Sequence, residues 1–345
     1  MKIGLTYDLR ADYRAEGLPE EATAELDSAV TIEGIAGALA GLGFEVTRIG
    51  GLKPLMVRLL AGERWDMVFN IAEGLFGLAR ESQVPALLDA FRIPYTFSDP
   101  LVLGLALHKG MAKHVARDQG VPTAPFAVIA SPADLAAARD LPYPLFGKPV
   151  AEGSSKGVTP QSRIERPEQL LPLCEMLWRR FAQPVLVEPY LPGREFTVGI
   201  VGTGASARAI GVLEVEVRPG AEPGIYSYDN KEDFERCIAY RLVKDTAAER
   251  AAAVGLAAWI ALDCRDGGRV DLRADASGAP LFMEANPLAG LNPERSDLVF
   301  LARDIGWSYD ALIGRIVASA LARNGLAEAA PAPARALLGT LGQAA

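Results

Sequence analysis

Cysteine, histidine, basic charge and long apolar runs are all scarce in this 345-residue chain, and each scarcity removes a class of function. The three cysteines, Cys174, Cys237 and Cys264, are scattered and none sits in a CxxC spacing. That argues against a disulfide framework or a cysteine-ligated zinc site and fits reduced, structural thiols. The two histidines, His108 and His114, fall on one helical stretch and are read as structural or surface residues. The longest strongly apolar stretch, Val254 to Leu262, is far below the roughly 20 residues of a membrane helix. Charges at Asp8, Arg10 and Asp12 interrupt the N-terminus before an export signal could form, so a cytoplasmic protein with no membrane partner is expected. Lys and Arg number 35 against 43 Asp and Glu, a net charge of -8. No nucleic-acid partner is expected, and an anionic ligand would need a locally basic pocket. The Walker pattern GxxxxGK[ST] and the dinucleotide pattern GxGxxG are both missing.

Half of the residues are hydrophobic and 23% are charged, the composition of a globular protein with two or three cores. Lys2 to Tyr7 alternates like a strand, Ser28 to Leu42 has helical apolar spacing ending at Gly43, and Phe44 to Ile49 is a second strand. This βαβ opening, with a third strand from Trp65 to Ile71, predicts an α/β unit over 1–107. A second unit, 108–190, holds a helix from His108 to Arg117, strands at Phe126 to Ala130, Pro142 to Val150 and Val185 to Tyr190, and a helical stretch from Pro167 to Phe181. A third, 191–325, holds β-like runs at Glu195 to Gly202 and Ala209 to Val217 and an Ala-rich helix from Thr246 to Leu262. Its last strands, Arg269 to Arg273 and Leu281 to Ala285, pair around a turn at Ser277-Gly278. The Ala/Pro-rich segment 326–345 is predicted to be a loose tail.

Three segments carry chemistry. In RVDLRADASGAPLFMEANP, Arg269 and Asp271 share one strand face, and Glu284 and Asn286 share one face of the next. Pairing would join Asp271, Glu284 and Asn286 into an oxygen-donor set suited to Mg²⁺, although an ordinary hairpin with solvent-facing acids has the same pattern. In KPVAEGSSKGV, Lys148 precedes a Gly/Ser loop whose backbone N–H groups can approach phosphate oxygens. Gly-Ser-Ser is also common in plain turns. In VEPYLPGREFTV, Glu188 and Glu195 flank a tight turn at the joint of the second and third units. There they could accept from an adenine amine or ribose hydroxyls, or simply be exposed linker acids.

Taken in order, a Lys before a Gly/Ser loop, then Glu-x-x-x-x-Gly-Arg-Glu, then Arg-x-Asp and Glu-x-Asn, resembles the ATP-grasp superfamily, most closely the D-alanine:D-alanine ligase family. The resemblance covers Ser98 to Ile313 well and the first unit only in outline. It implies an α+β ATP-grasp fold: a Rossmann-like pre-ATP-grasp domain followed by two subdomains clasping ATP. It implies Lys109, Lys148, Glu188 and Glu195 as nucleotide ligands, with Ser154 and Ser155 on the loop closing over the phosphates. Asp271, Glu284 and Asn286 would hold two Mg²⁺ ions, with Mn²⁺ able to substitute. Lys231 would reach the transferred phosphate, and Arg269 with the N–H of Gly290 would stabilise a tetrahedral intermediate. Ser296 and Leu298 sit where the family holds the second substrate's carboxylate. A homodimer is also implied. The activity implied is ATP-dependent joining of a small carboxylate and an amine through an acyl phosphate.

The first unit departs from that pattern. The family's Gly-Gly-x-Ser-x-Glu segment is replaced by Tyr7-Asp8-Leu9-Arg10-Ala11-Asp12, longer and without a clear match. Its His-Gly is replaced by Glu73-Gly74, Lys231 is followed by Glu232, and a charged pair, Glu294-Arg295, is added. Asn70, Glu73, Arg80 and Glu81 are candidates for a reshaped acceptor site. Arg80 or Arg295 could grip a carboxylate in two-pronged fashion or be solvated surface charge. A ligase joining a different pair is thus the alternative within the class; a nucleotide-binding kinase or sensor on the same fold is the alternative outside it.

Overall fold

A computed structural model describes residues 1–217 and 238–339. Three sheets follow one another along the chain. The first is parallel, of order β2-β1-β3, from β1 (Lys2–Thr6), β2 (Glu45–Gly50) and β3 (Met67–Asn70). Helix α1 (Arg10–Ala15) follows β1, and α2 (Ala29–Gly41) makes the crossover to β2. Helix α3 (Leu52–Leu60) leads to β3, and α4 (Gln83–Ala90), α5 (Pro100–Leu107) and α6 (Lys109–Asp118) carry the chain away from it. Asp99 caps α5 by accepting from the Val102 N–H at 3.0 Å, and His108 caps α6 by accepting from the Met111 N–H at 3.2 Å. That satisfies orphan donors at both helix starts and makes His108 structural, as expected.

The second sheet has the order β4-β7-β5-β6, from β4 (Ala127–Ile129), β5 (Leu145–Pro149), β6 (Arg163–Ile164) and β7 (Val185–Pro189), with α7 (Leu170–Phe181) covering it. The third is antiparallel, of order β10-β9-β8-β11-β12. It comprises β8 (Glu195–Val201), β9 (Arg208–Val217), β10 (Ile238–Leu242), β11 (Gly267–Ala274) and β12 (Pro280–Asn286). Helix α8 (Thr246–Ala261) packs on it, followed by α9 (Asp297–Asp304), α10 (Tyr309–Arg323) and α11 (Ala332–Leu338).

Period-two alternation divides the third sheet into two faces. Phe196, Val198, Ile200, Val270, Leu272 and Ala285 point into one core with Ala251, Ala258 and the fully buried Trp259 of α8. Each of the Phe, Val, Ile and Leu side chains contributes on the order of 1.5–3 kcal/mol by leaving water. Their neighbours in sequence, Glu195, Thr197, Arg269, Asp271, Glu284 and Asn286, are left for the other face. A Cβ on Gly268 would lie 2.4 Å from the Asn286 carbonyl and 2.8 Å from Trp259, so only glycine fits beside Arg269.

The largest core joins the first sheet to the C-terminal helices: Ile35 and Leu39 of α2 pack with Leu298 and Leu301 of α9 and Ile313 and Ile316 of α10. Buried Asp266 ties this junction, accepting from the Phe97 N–H at 2.8 Å, Ser319 at 2.9 Å and Arg323 at 2.9 Å. The predicted loose tail is corrected over its described part. Residues 332–338 are helical, and Ala330 and Ala334 are buried in this core. The small alanines that lowered the apolar signal allow α11 to approach α10 closely.

Candidate active site

Register assembles the polar face of the third sheet row by row. Thr197, Asp271 and Glu284 are cross-strand partners on β8, β11 and β12, and Gly199, Arg269 and Asn286 form the row beside them. Thr197 donates to Asp271 at 2.9 Å and Asn286 donates its amide to Asp271 at 3.0 Å. Arg269 also donates to Asp271 and lies 3.8 Å from Asp297. Burial alone would lower the Arg269 pKa, but Asp271 and Asp297 outweigh it and hold the guanidinium firmly charged. Burial pushes the Asp271 pKa up, with Arg269 opposing. Past Asp271 the register slips so that Leu272 pairs with Phe282, and this bulge puts both Met283 and Glu284 on the cavity wall.

Two lysines come to this row from the second segment. Lys109, at the start of α6, and Lys148, on β5, each lie 3.5 Å from the same Glu284 oxygen, Oε2. Burial lowers the Lys109 pKa, with Glu284 opposing. For Lys148 burial also pulls downward, but Glu284 and Glu188 reverse the shift and hold it up. Both lysines are about 6% exposed, so an anion entering here meets two poorly hydrated ammonium groups.

Lys109, Ser154, Arg269, Glu284 and Asp297 line two adjoining cavities, which meet at this wall. One is floored by Phe146, Val158, Leu191 and Met283 and rimmed by Glu188, Glu195, Ser155 and Lys156, an apolar slot with charged edges. The other, of about 650 Å³, is polar and is lined by Glu25, Asp27, Glu73, Glu81, Asn286, Gly290, Arg295 and Ser296. The loop between them puts Ser154 and Ser155 at φ 49° and 56°, left-handed values that are uncommon outside glycine.

The sequence candidates divide accordingly. Lys109, Lys148, Ser154, Ser155, Glu188, Glu195, Arg269, Asp271, Glu284, Asn286, Gly290 and Ser296 all line one cavity or both. Glu188 lines the slot, is buried and is paired through Oε2 with Lys113 at 2.8 Å, while its Oε1 lies 3.9 Å from Lys148. Glu195 pairs with Arg273 at 3.1 Å, and burial raises its pKa against that partner. Gly290 backs onto Ser296, whose Oγ would be 2.9 Å from an added Cβ. Leu298 is a buried core residue of α9 and lines neither cavity. Lys231 lies outside the described residues.

Two first-unit expectations are corrected. Asn70 does not face the cavity; it is fully buried, where its Oδ1 accepts from Thr6 at 2.8 Å and from the Ala72 N–H at 3.2 Å. Arg80 is neither surface charge nor placed to grip a substrate carboxylate: it is buried, lines neither cavity, and donates to Glu25 at 2.8 Å and to the Ala151 carbonyl at 2.9 Å. Glu73 and Glu81 do line the cavity, and Arg295 stands on its exposed rim.

Sequence reasoning missed Lys113, Glu25, Thr197 and Asp297. Lys113 is fully buried and donates to Thr123 at 2.8 Å and to the Phe282 carbonyl at 3.1 Å, pinning α6 to β12. Its position four residues after Lys109, on the same helix face, was the available signal. Glu25 accepts from the Gly153 N–H at 2.5 Å and pairs with Lys156 at 3.3 Å, tying the Gly/Ser loop to the first unit. Its place after the inserted α1 hid it.

Comparison with known proteins bears on the same residues. Residues 115–318 match the family model described as D-ala D-ala ligase C-terminus. A Sinorhizobium fredii protein, y4sG, is 32% identical over 300 residues, covering 83% of this chain and 85% of that one. The D-alanine–D-alanine ligase of Methylobacterium radiotolerans is 34% identical over 292 residues, 83% of this chain and 90% of its own. The crystal structure of the Bacillus anthracis D-alanine–D-alanine ligase complexed with ATP superposes with a TM-score of 0.71 at 22% identity, covering 94% of this chain and 99% of that one. The architecture is therefore the ATP-grasp fold of these ligases, an α/β arrangement as expected from the sequence. Among the described residues no helix is long and apolar enough to cross a membrane. By family model and by identity over most of its length, the chain belongs to the D-alanine–D-alanine ligase family.

Proposed function

We propose that the chain is an ATP-dependent ligase that joins a small carboxylate to an amine. The observation that carries this reading is the meeting of two cavities at a wall made by Lys109, Lys148, Glu284 and Arg269. The apolar slot suits an adenine, and a nucleotide lying in it would have its phosphates near the two buried lysines; the Bacillus anthracis relative is complexed with ATP. Backbone N–H groups around Ser154 and Ser155 add further donors. Asp271, Glu284 and Asn286 fit a hard cation: two carboxylates and an amide oxygen sit on adjacent strands, and Asn286 donates through nitrogen, which keeps its oxygen available. Held by these three residues, Mg²⁺ would supply positive charge to offset the negative charge developing on the phosphate.

In the first step the substrate carboxylate attacks the γ-phosphorus, the bond to ADP breaks, and an acyl phosphate forms. Lys109 and Lys148 offset the charge on the transferring group, since phosphoryl transfer depends on positioning and electrostatics. In the second step the neutral amine attacks the acyl carbon, phosphate leaves, and the nitrogen loses a proton. Arg269, held charged beside Asp271, and the Gly290 N–H serve the oxyanion of that step. Cys174 and Cys264 are buried free thiols, which suits a reducing, cytoplasmic setting. Release of ADP and phosphate is expected to depend on an added amine or amino acid. ATP turnover indifferent to every amine in a broad panel would instead support a kinase or sensor.

A further inference from the structure

The polar cavity is over-supplied with carboxylates. At the reacting end the charges are matched: Lys109 and Lys148 face Glu284, and Arg269 faces Asp271 and Asp297. Glu25 is matched as well, by Arg80 at 2.8 Å and Lys156 at 3.3 Å, and these hold its pKa low in spite of burial. Arg10 spends its guanidinium on the carbonyls of Ala24 and Leu26. Glu73, Glu81 and Asp27 are left, and among the described residues none of the three takes part in an ion pair within 4.0 Å.

Glu81 is the most telling. It is 9% exposed, lines the cavity, and has no hydrogen-bond partner among the described residues. A buried carboxylate without a partner carries a desolvation cost that a bound cation would offset. Burial pushes up the pKa of Glu81 to about 7, with Glu25 adding to it against Arg80 and Lys109; burial also raises Glu73, against Arg80, and lifts Asp27 to about 7. Glu73 feels Glu81, Glu25 and Asp27 together, so the acids form one cluster.

A substrate such as alanine brings one ammonium, which can satisfy one of these groups. We propose that this cavity takes an amino acid whose side chain carries a second cationic group, of the lysine or ornithine class, held by Glu73, Glu81 and Asp27. The proposal rests on the ligase reading for the use made of the bound amino acid, but not for the binding itself. A volume of about 650 Å³ leaves room for the longer side chain, within the range of small-molecule sites.

The test measures binding and turnover separately on the full chain. Calorimetry in the presence of ATP analogue and Mg²⁺ compares D- and L-lysine and ornithine with alanine and with norleucine, the uncharged counterpart of lysine. At least about tenfold tighter binding of one dibasic amino acid over norleucine is expected, since a site of fixed charges discriminates by what it leaves unpaired. Glu81→Gln, and independently the less buried Glu73→Gln, should reduce that preference severalfold. Norleucine or alanine binding as tightly as both dibasic amino acids overturns the proposal, as does a preference unchanged in both variants. Turnover is read alongside: selective binding without amine-dependent ADP release would sink the ligase reading and leave the substrate class standing.

Discussion

Asp271 faces Glu284 directly across β11 and β12, and the same row continues to Thr197 on β8. With Asp297 beside Arg269, three carboxylates face the two lysines and the arginine, and the wall is charge-balanced. An anion entering there meets the two lysines, and a cation meets the carboxylates of Asp271 and Glu284.

Glu284→Gln tests that wall. The variant keeps the shape but loses the charge that faces Lys109 and Lys148 at 3.5 Å. Turnover dependent on Mg²⁺ should fall on the order of 100-fold, measured as initial rate against metal concentration. An unchanged rate would remove Glu284 from the metal set.

Arg269→Ala separates chemistry from nucleotide binding. Acyl transfer should slow by roughly 10²–10³, the cost of removing one oxyanion donor, with a smaller change in ATP affinity. Single-turnover kinetics and nucleotide titration read the two quantities independently. Equal losses in both would mean that Arg269 serves mainly to hold Asp271.

Lys113→Met leaves Glu188 buried without its 2.8 Å partner. Breaking such a pair costs about 3–5 kcal/mol, so a marked drop in melting temperature is expected. The double variant Lys113→Met with Glu188→Leu should recover stability while still weakening nucleotide binding. If the double variant is no more stable than the single one, the pair is not what holds α6 to β7.

Asp27 gives a pH signature. Burial, with Asp8 adding to it, raises its folded pKa from 3.8 to about 7, against help from Thr31 and Arg10. Stability from this group is therefore fully present below its unfolded pKa and is lost as pH rises towards 7. Asp27→Asn should gain stability over the parent as pH moves from 4 to 8, by up to a few kcal/mol, because each tenfold change in proton affinity on folding is worth roughly 1.4 kcal/mol. Denaturant melts at both values check it; a constant difference would contradict the raised pKa.

Much of the site was legible because strand periodicity is rigid: Arg269, Asp271, Glu284 and Asn286 could be assigned to one face before pairing was known, and the register agrees. The parallel first sheet and the helix starting at Lys109 were legible for the same reason. Long-range closure was not. Nothing local in sequence says that Arg80 turns inward to Glu25, or that Lys113 crosses to the Phe282 carbonyl. The helix at 332–338 escaped because its alanines bury well but carry little apolar signal.

The most direct test of the central claim is release of ADP and phosphate by the full-length chain with ATP and Mg²⁺. It is run with and without a panel of D- and L-amino acids, and products are identified by mass spectrometry. The expected result is stoichiometric ADP and phosphate only when an amino acid is present, with a product lighter by one water than the two joined substrates. Amine-independent hydrolysis, or phosphorylation with no such condensed product, would contradict it.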